Sequence, residues 1–110
     1  HEGHYGHYLN AAHQFDTWLA DIWNFVETDS LYKGKTTLLI TTDHGRGDKV
    51  KSQWTSHGEK VKDCHEIWYA LLGANVPTMG EVSLQEQVYQ KDLIHIVAEK
   101  MGISFKSRVP

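Results

Sequence analysis

Residues 37–47, TLLITTDHGRG, join an apolar, β-branched run to Asp43 and His44, with Gly45 and Gly47 following at once. Carboxylate oxygen and imidazole nitrogen are ordinary ligands of Zn²⁺ or Mn²⁺. Side chains alternate faces along a strand, but just past a strand end the chain turns, and neighbours there can converge on one ion. Gly45 and Gly47 are expected to permit that sharp turn. In open α/β sheets, ligands bind beyond the carboxyl ends of strands, where this pair lies. The same two residues also read as a loop cap, Asp43, and a satisfied turn residue, His44. Arg46 comes next. Its guanidinium fork suits a phosphate or sulfate group, and it reads equally as a surface charge on a glycine-flanked loop.

The chain holds eight histidines, so the others must be weighed too. His57, in the stretch WTSHG, repeats the pattern of an imidazole followed by glycine and by itself reads as an ordinary loop histidine. His65 precedes an apolar run and is expected to be structural or solvent-facing. His95, among Leu93, Ile94 and Val97, is expected to be a hydrogen-bonded helix histidine. The opening HEGHYGHY misses the zinc-protease pattern H-E-x-x-H, because Tyr5 stands at the fifth position. His1, His4 and His7 drift around a helix at three-residue spacing and would not chelate an ion together. One of them remains open as a ligand with partners elsewhere in the chain.

These residues need a scaffold. Tyr8, Ala12, Phe15, Leu19, Ile22 and Val26 recur at steps of four and three, which predicts an amphipathic helix over residues 5–27. The polar turn formers TDSLYKGK close it, with Gly34 available for a left-handed conformation. Residues 36–42 lack the alternation of a strand with one wet face. They predict a buried strand covered on both sides, as in a parallel α/β sheet. Residues 45–65 are polar and without periodicity, a loop long enough to suggest a functional role. A second apolar run, residues 67–72, ends at Gly73 and Pro77. A helix over residues 90–101 follows, with Leu93, Ile94, Val97, Ala98 and Met101 as its stripe and Gly102 as its cap. Helix, strand, long loop, strand and helix fit one flank of a layered sheet, and two strands do not complete it.

Composition narrows the classes. At 110 residues the chain is at most one domain, and 40% apolar residues with four Trp and five Tyr suit a packed globule. A net charge of −3, with acids and bases interspersed, offers no basic face for nucleic acid or an anionic membrane. No apolar run approaches the length of a membrane span. The single Cys64 forms no internal disulfide and leaves the compartment open.

The ordered set of features resembles the C-terminal part of a domain of the alkaline phosphatase superfamily, which includes sulfatases, phosphodiesterases and phosphonate hydrolases. The central match is LLITTDHG, a strand ending in Asp-His-Gly. Ahead of it lie HYLNAAHQFDTWLADIWNFVE and LYKGKTT, similar to the family's helix and linker. After it come SHGEK and VYQKDLIHIVAEKMGI, the latter similar to a late helix of these enzymes, with Lys91 and Asp92 at its start. The resemblance covers nearly all of the chain. It implies an α/β fold with a layered, mostly parallel sheet, helices on both faces, and two divalent metal ions, Zn or Mn, at the strand ends. By that resemblance Asp43 and His44 match the ligands of one ion. His57 and His1 are similar to ligands of the other.

The resemblance implies metal-assisted displacement at phosphorus or sulfur of a phosphate or sulfate ester, with a covalent intermediate that water then hydrolyses. The family's nucleophile (a Ser, Thr or formylglycine) and further acidic ligands lie upstream of the region matched. Ser30, Ser52 and Thr55 lack the nucleophile's context. Residues 1–110 are therefore expected to be a C-terminal piece of a catalytic domain, contributing metal ligands and inactive alone. The competing expectation, from another class, is a small non-catalytic α/β binding module with incidental histidines. The hydrolase piece expects His1, Asp43, His44 and His57 to gather at one sheet edge, and the module expects them scattered. In either case exposed Trp and Tyr favour association between copies of the chain.

Overall fold

The computed structural model describes residues 1–47 and 50–108. Asp48 and Lys49, within the long polar loop, and the last two residues lie outside the described set. The elements, in order, are α1 (Tyr5–Thr28), β1 (Thr37–Thr41), α2 (Lys51–Trp54), β2 (Tyr69–Gly73), a 3-10 turn (Gln90–Asp92) and α3 (Leu93–Lys100). Both long helices and both strands fall where the periodicity and the apolar runs predict them.

The sheet corrects one expectation. Among the described residues it has two strands, and they run antiparallel, with Thr37 opposite Gly73 and Thr41 opposite Tyr69. A parallel pair needs a crossover that returns along the sheet, usually a helix. Here the connection contains one helical turn, α2, and re-enters beside the end it left. The strand ends are clamped. Thr37 Oγ1 donates to the Ala74 carbonyl at 2.6 Å, and Thr41 Oγ1 donates to the Trp68 carbonyl at 2.8 Å. Every residue of both strands is half-buried, so the expected burial on two faces is also only partial.

Helix α1 ends as its turn formers require. The Asp29 amide donates to the Phe25 carbonyl, the Asp29 carboxylate accepts from the Leu31 amide at 2.8 Å, and Gly34 takes φ +68°. Its apolar stripe is largely uncovered. Phe15 and Ile22 are exposed, as are Trp18 and Phe25, and of the whole helix only Val26 is buried. Helix α3 buries Leu93 and Ala98 and leaves Ile94 and Met101 exposed. It closes in a Schellman motif, with Gly102 at φ +67° and the Ile103 amide bonded to the Ala98 carbonyl.

The small core, Val26, Val61, Cys64, Leu93 and Ala98, includes no fully buried large side chain. The radius of gyration is 16.8 Å, against about 13 Å for a compact domain of this length. An open groove of about 1060 Å³ runs along β2, bordered by Trp23, Leu72, Met79 and Lys100. Among the described residues, no helix is long and apolar enough to cross a membrane.

Candidate metal centre

The connection between β1 and β2 leaves and returns at one end of the sheet, so what it carries collects there. Asp43 and His44 stand just past β1, His57 lies beyond α2, and His1 arrives on the segment that leads into α1. One ligating atom from each of His1, His44 and His57 lies within 4.8 Å of the others. The His1 and His57 rings are 5.0 Å apart, His1 and His44 5.6 Å, and His44 and His57 stack at 4.6 Å. Nitrogens about 3.4 Å apart would share one tetrahedral zinc at its usual bond length.

Two of the three rings have a defined tautomer. His1 Nδ1 is 2.8 Å from the Thr55 carbonyl oxygen, and His44 Nδ1 is 2.6 Å from that of Gly45. A carbonyl only accepts, so in each ring Nδ1 carries the proton and donates it. In the neutral ring Nε2 is then left with a free lone pair, the arrangement by which ligand histidines are commonly oriented.

Asp43 lies beside this cluster. Its Oδ1 accepts from the His44 amide at 3.0 Å, and its Oδ2 is 3.7 Å from His44 Nε2, outside hydrogen-bonding distance. Its carboxylate is exposed and points toward the same nitrogen that His44 leaves free. The group whose ligating atoms come together is the three imidazoles, with the Asp43 carboxylate adjacent but not among them. Nitrogen donors suit Zn²⁺ or Mn²⁺ better than Ca²⁺, which prefers an all-oxygen shell.

The glycines after His44 act differently from the expectation of a sharp turn. Neither Gly45 nor Gly47 has a positive φ. Their role is close approach. A side chain at Gly45 would strike the carbonyl oxygens of Asp63 and Glu66, and one at Gly47 would strike Gln53. The Gly45 amide donates to the Cys64 carbonyl at 2.7 Å, which fastens the residue after His44 to the segment following His57.

Arg46, between those glycines, has its guanidinium carbon 4.3 Å from the centre of the Tyr8 ring. Its Nη1 is buried and meets no hydrogen-bond acceptor among the described residues. Three further contributors carry no signal in residue type or spacing. The carbonyls of Gly45 and Thr55 are backbone atoms that any residue supplies. The end of the Lys51 side chain crosses close to Gly3, whose φ of +82° favours glycine. Gln90 Nε2 reaches the Asp43 carbonyl at 3.4 Å, bringing the turn before α3 to the strand end.

The remaining histidines stay apart from the cluster. His4 and His7 face each other, 5.1 Å between ring centres, on the exposed start of α1, and His65 is exposed. His95 is exposed on α3 and meets the Phe105 ring edge-on at 5.2 Å, in place of the hydrogen bond expected for it. Compared with known proteins, the chain matches no family model, no curated protein and no solved structure.

Proposed function

We propose that the chain is the metal-ligating piece of a hydrolase of phosphate or sulfate esters, supplying ligands for two divalent ions but not the nucleophile. The observation that carries this reading is the convergence of His1, His44 and His57, with the Nδ1 protons of His1 and His44 committed to backbone carbonyls. Free Nε2 lone pairs on adjacent rings are what an ion requires. The Asp43 carboxylate beside them adds negative charge that divalent cations would neutralise. The three imidazoles suit one ion, and the second ion of the pair would draw its remaining ligands from outside this chain. Bound there, the ions would neutralise the nonbridging oxygens of the ester and activate a nucleophile supplied from outside this chain. Arg46 would hold one of those oxygens through its guanidinium edge.

The reading extends to the fold. Among the described residues each strand pairs with one neighbour, the groove along β2 is open, and Phe15 and Ile22 of the α1 stripe face outward. These surfaces are where further strands and a helical layer of a parent α/β domain would pack. A second reading, a self-associating module without catalytic activity, draws on the same exposed stripe. It expects no hydrolysis in any context, with metal bound incidentally or not at all, and the convergence of three histidines counts against the scattering it expects.

The test uses the full-length product of the gene, assayed on aryl phosphate monoesters, diesters and aryl sulfates. Hydrolysis of one class is expected, abolished by a chelator, restored by Zn²⁺ or Mn²⁺, and reduced at least hundredfold by His44→Ala. Hydrolysis indifferent to both chelator and His44→Ala would remove the reading. Zinc uptake without hydrolysis would select the module.

A further inference from the structure

Arg46 is held at both ends. At its backbone, Gly45 is fastened to the Cys64 carbonyl and Gly47 is buried against Gln53, so the side chain starts from a fixed point. At its tip, the guanidinium lies 4.3 Å over the Tyr8 ring. Arginine stacks on aromatic faces because a delocalised, weakly hydrated cation meets the negative face of the ring. The stack leaves the N–H groups at the guanidinium edge free to bond in their own plane.

One of those groups meets no acceptor among the described residues. Nη1 is closed from water without an acceptor among the described residues, and no described acid lies within ion-pair reach of Arg46. Buried donors nearly always have partners, so an orphan calls for a cause. An arginine serving only to staple α1 to the loop would be expected to spend its donors on carbonyls or carboxylates of the helix. Instead, the stack fixes the cation and leaves a donor unpaired, two residues from His44. Tyr8 is 46% exposed, so what covers Nη1 includes a surface side chain able to move as a ligand enters.

We infer that Tyr8 is a positioning residue: its ring face orients the Arg46 guanidinium so that Nη1 donates to a nonbridging oxygen of a tetrahedral oxyanion held at the histidine cluster. The inference rests on the metal-centre reading above and adds to it the device that presents the anion-binding edge. A pre-oriented fork loses little freedom on binding, which is where a stacked arginine gains over a free one. The hydroxyl of Tyr8 has no part in this role. The ring does.

The experiment is calorimetric titration of the zinc-loaded chain with inorganic phosphate, with zinc affinity measured separately for each variant. Tyr8→Leu removes the ring and is expected to weaken phosphate binding about tenfold while leaving zinc affinity unchanged. Tyr8→Phe keeps the ring face and is expected to stay within about twofold of the original chain. Arg46→Lys keeps the charge, loses the planar fork, and is expected to weaken phosphate at least as much as Tyr8→Leu. Sulfate titrated in parallel separates the ester classes, since the site's anion is the one whose affinity drops in Tyr8→Leu. Unchanged phosphate binding in Tyr8→Leu overturns the inference, as does an equal loss in Tyr8→Phe. If the original chain takes up no zinc, the metal reading fails by itself, and phosphate binding to the metal-free chain then decides the role of Tyr8. A tenfold loss there in Tyr8→Leu, with Tyr8→Phe retained, supports it. Absence of phosphate binding by the original chain overturns it.

Discussion

At the scale of single residues, the site depends on two hydrogen bonds from imidazole to backbone. His1 reaches the Thr55 carbonyl from a segment that turns at Gly3, whose φ of +82° favours glycine. Gly3→Ala would place a methyl group against the Lys51 side chain at a backbone angle of +82° that alanine avoids. The expected outcome is a loss of zinc affinity of about tenfold by calorimetry, on the scale of losing a supporting partner of a ligand. Helix content by circular dichroism should stay unchanged. Of this site, the residue types at Asp43, His44 and Arg46 were legible, because a carboxylate, an imidazole and a guanidinium at a strand end stand out from their surroundings. His57 read by itself as an ordinary loop histidine, and it and His1 were suggested only by resemblance. The supporting carbonyls, the Tyr8 ring and the course of Lys51 were not legible, since nothing in their types marks them and their partners lie up to 54 positions away.

At the scale of elements, the excursion between β1 and β2 is held by what its glycines lack. Gly45→Ala would drive a methyl group into the Asp63 and Glu66 carbonyl oxygens and disturb the bond from its amide to Cys64. Overpacking of this kind costs about 1–3 kcal/mol. A fall in melting temperature of roughly 5–20 °C is expected by calorimetry, with a weaker response to added zinc because His44 moves with the loop. Both long helices and both strands were readable from the periodicity of α1, the stripe of α3 and the two apolar runs. The direction of β2 was not. Parallel and antiparallel strands are equally apolar when buried, and the choice lay in the path of residues 42–68, whose polar composition has no period. The glycines were seen but misread, since a turn and a close contact both select glycine.

At the scale of the whole molecule, the chain exposes 9243 Å², well above the roughly 6200 Å² of a compact monomer of its 12.6 kDa mass. Much of the apolar part lies along α1, where Phe15 and Ile22 face outward on one stripe. Phe15→Glu with Ile22→Glu is therefore expected to abolish concentration-dependent association in sedimentation velocity while zinc affinity is retained, because both lie far along the helix from His1. Persistent association in the double variant would direct attention to the groove along β2. Cys64 gives the molecule a different use. Its thiol is buried, its sulfur accepts from the Gly58 amide at 3.1 Å, and its carbonyl holds Gly45. A labelling reagent gains access to that thiol when the segment carrying His57 lifts away from Cys64. The rate of thiol labelling therefore becomes a clock for local opening, and the single cysteine of the sequence times how often the segment carrying His57 lifts from its seat.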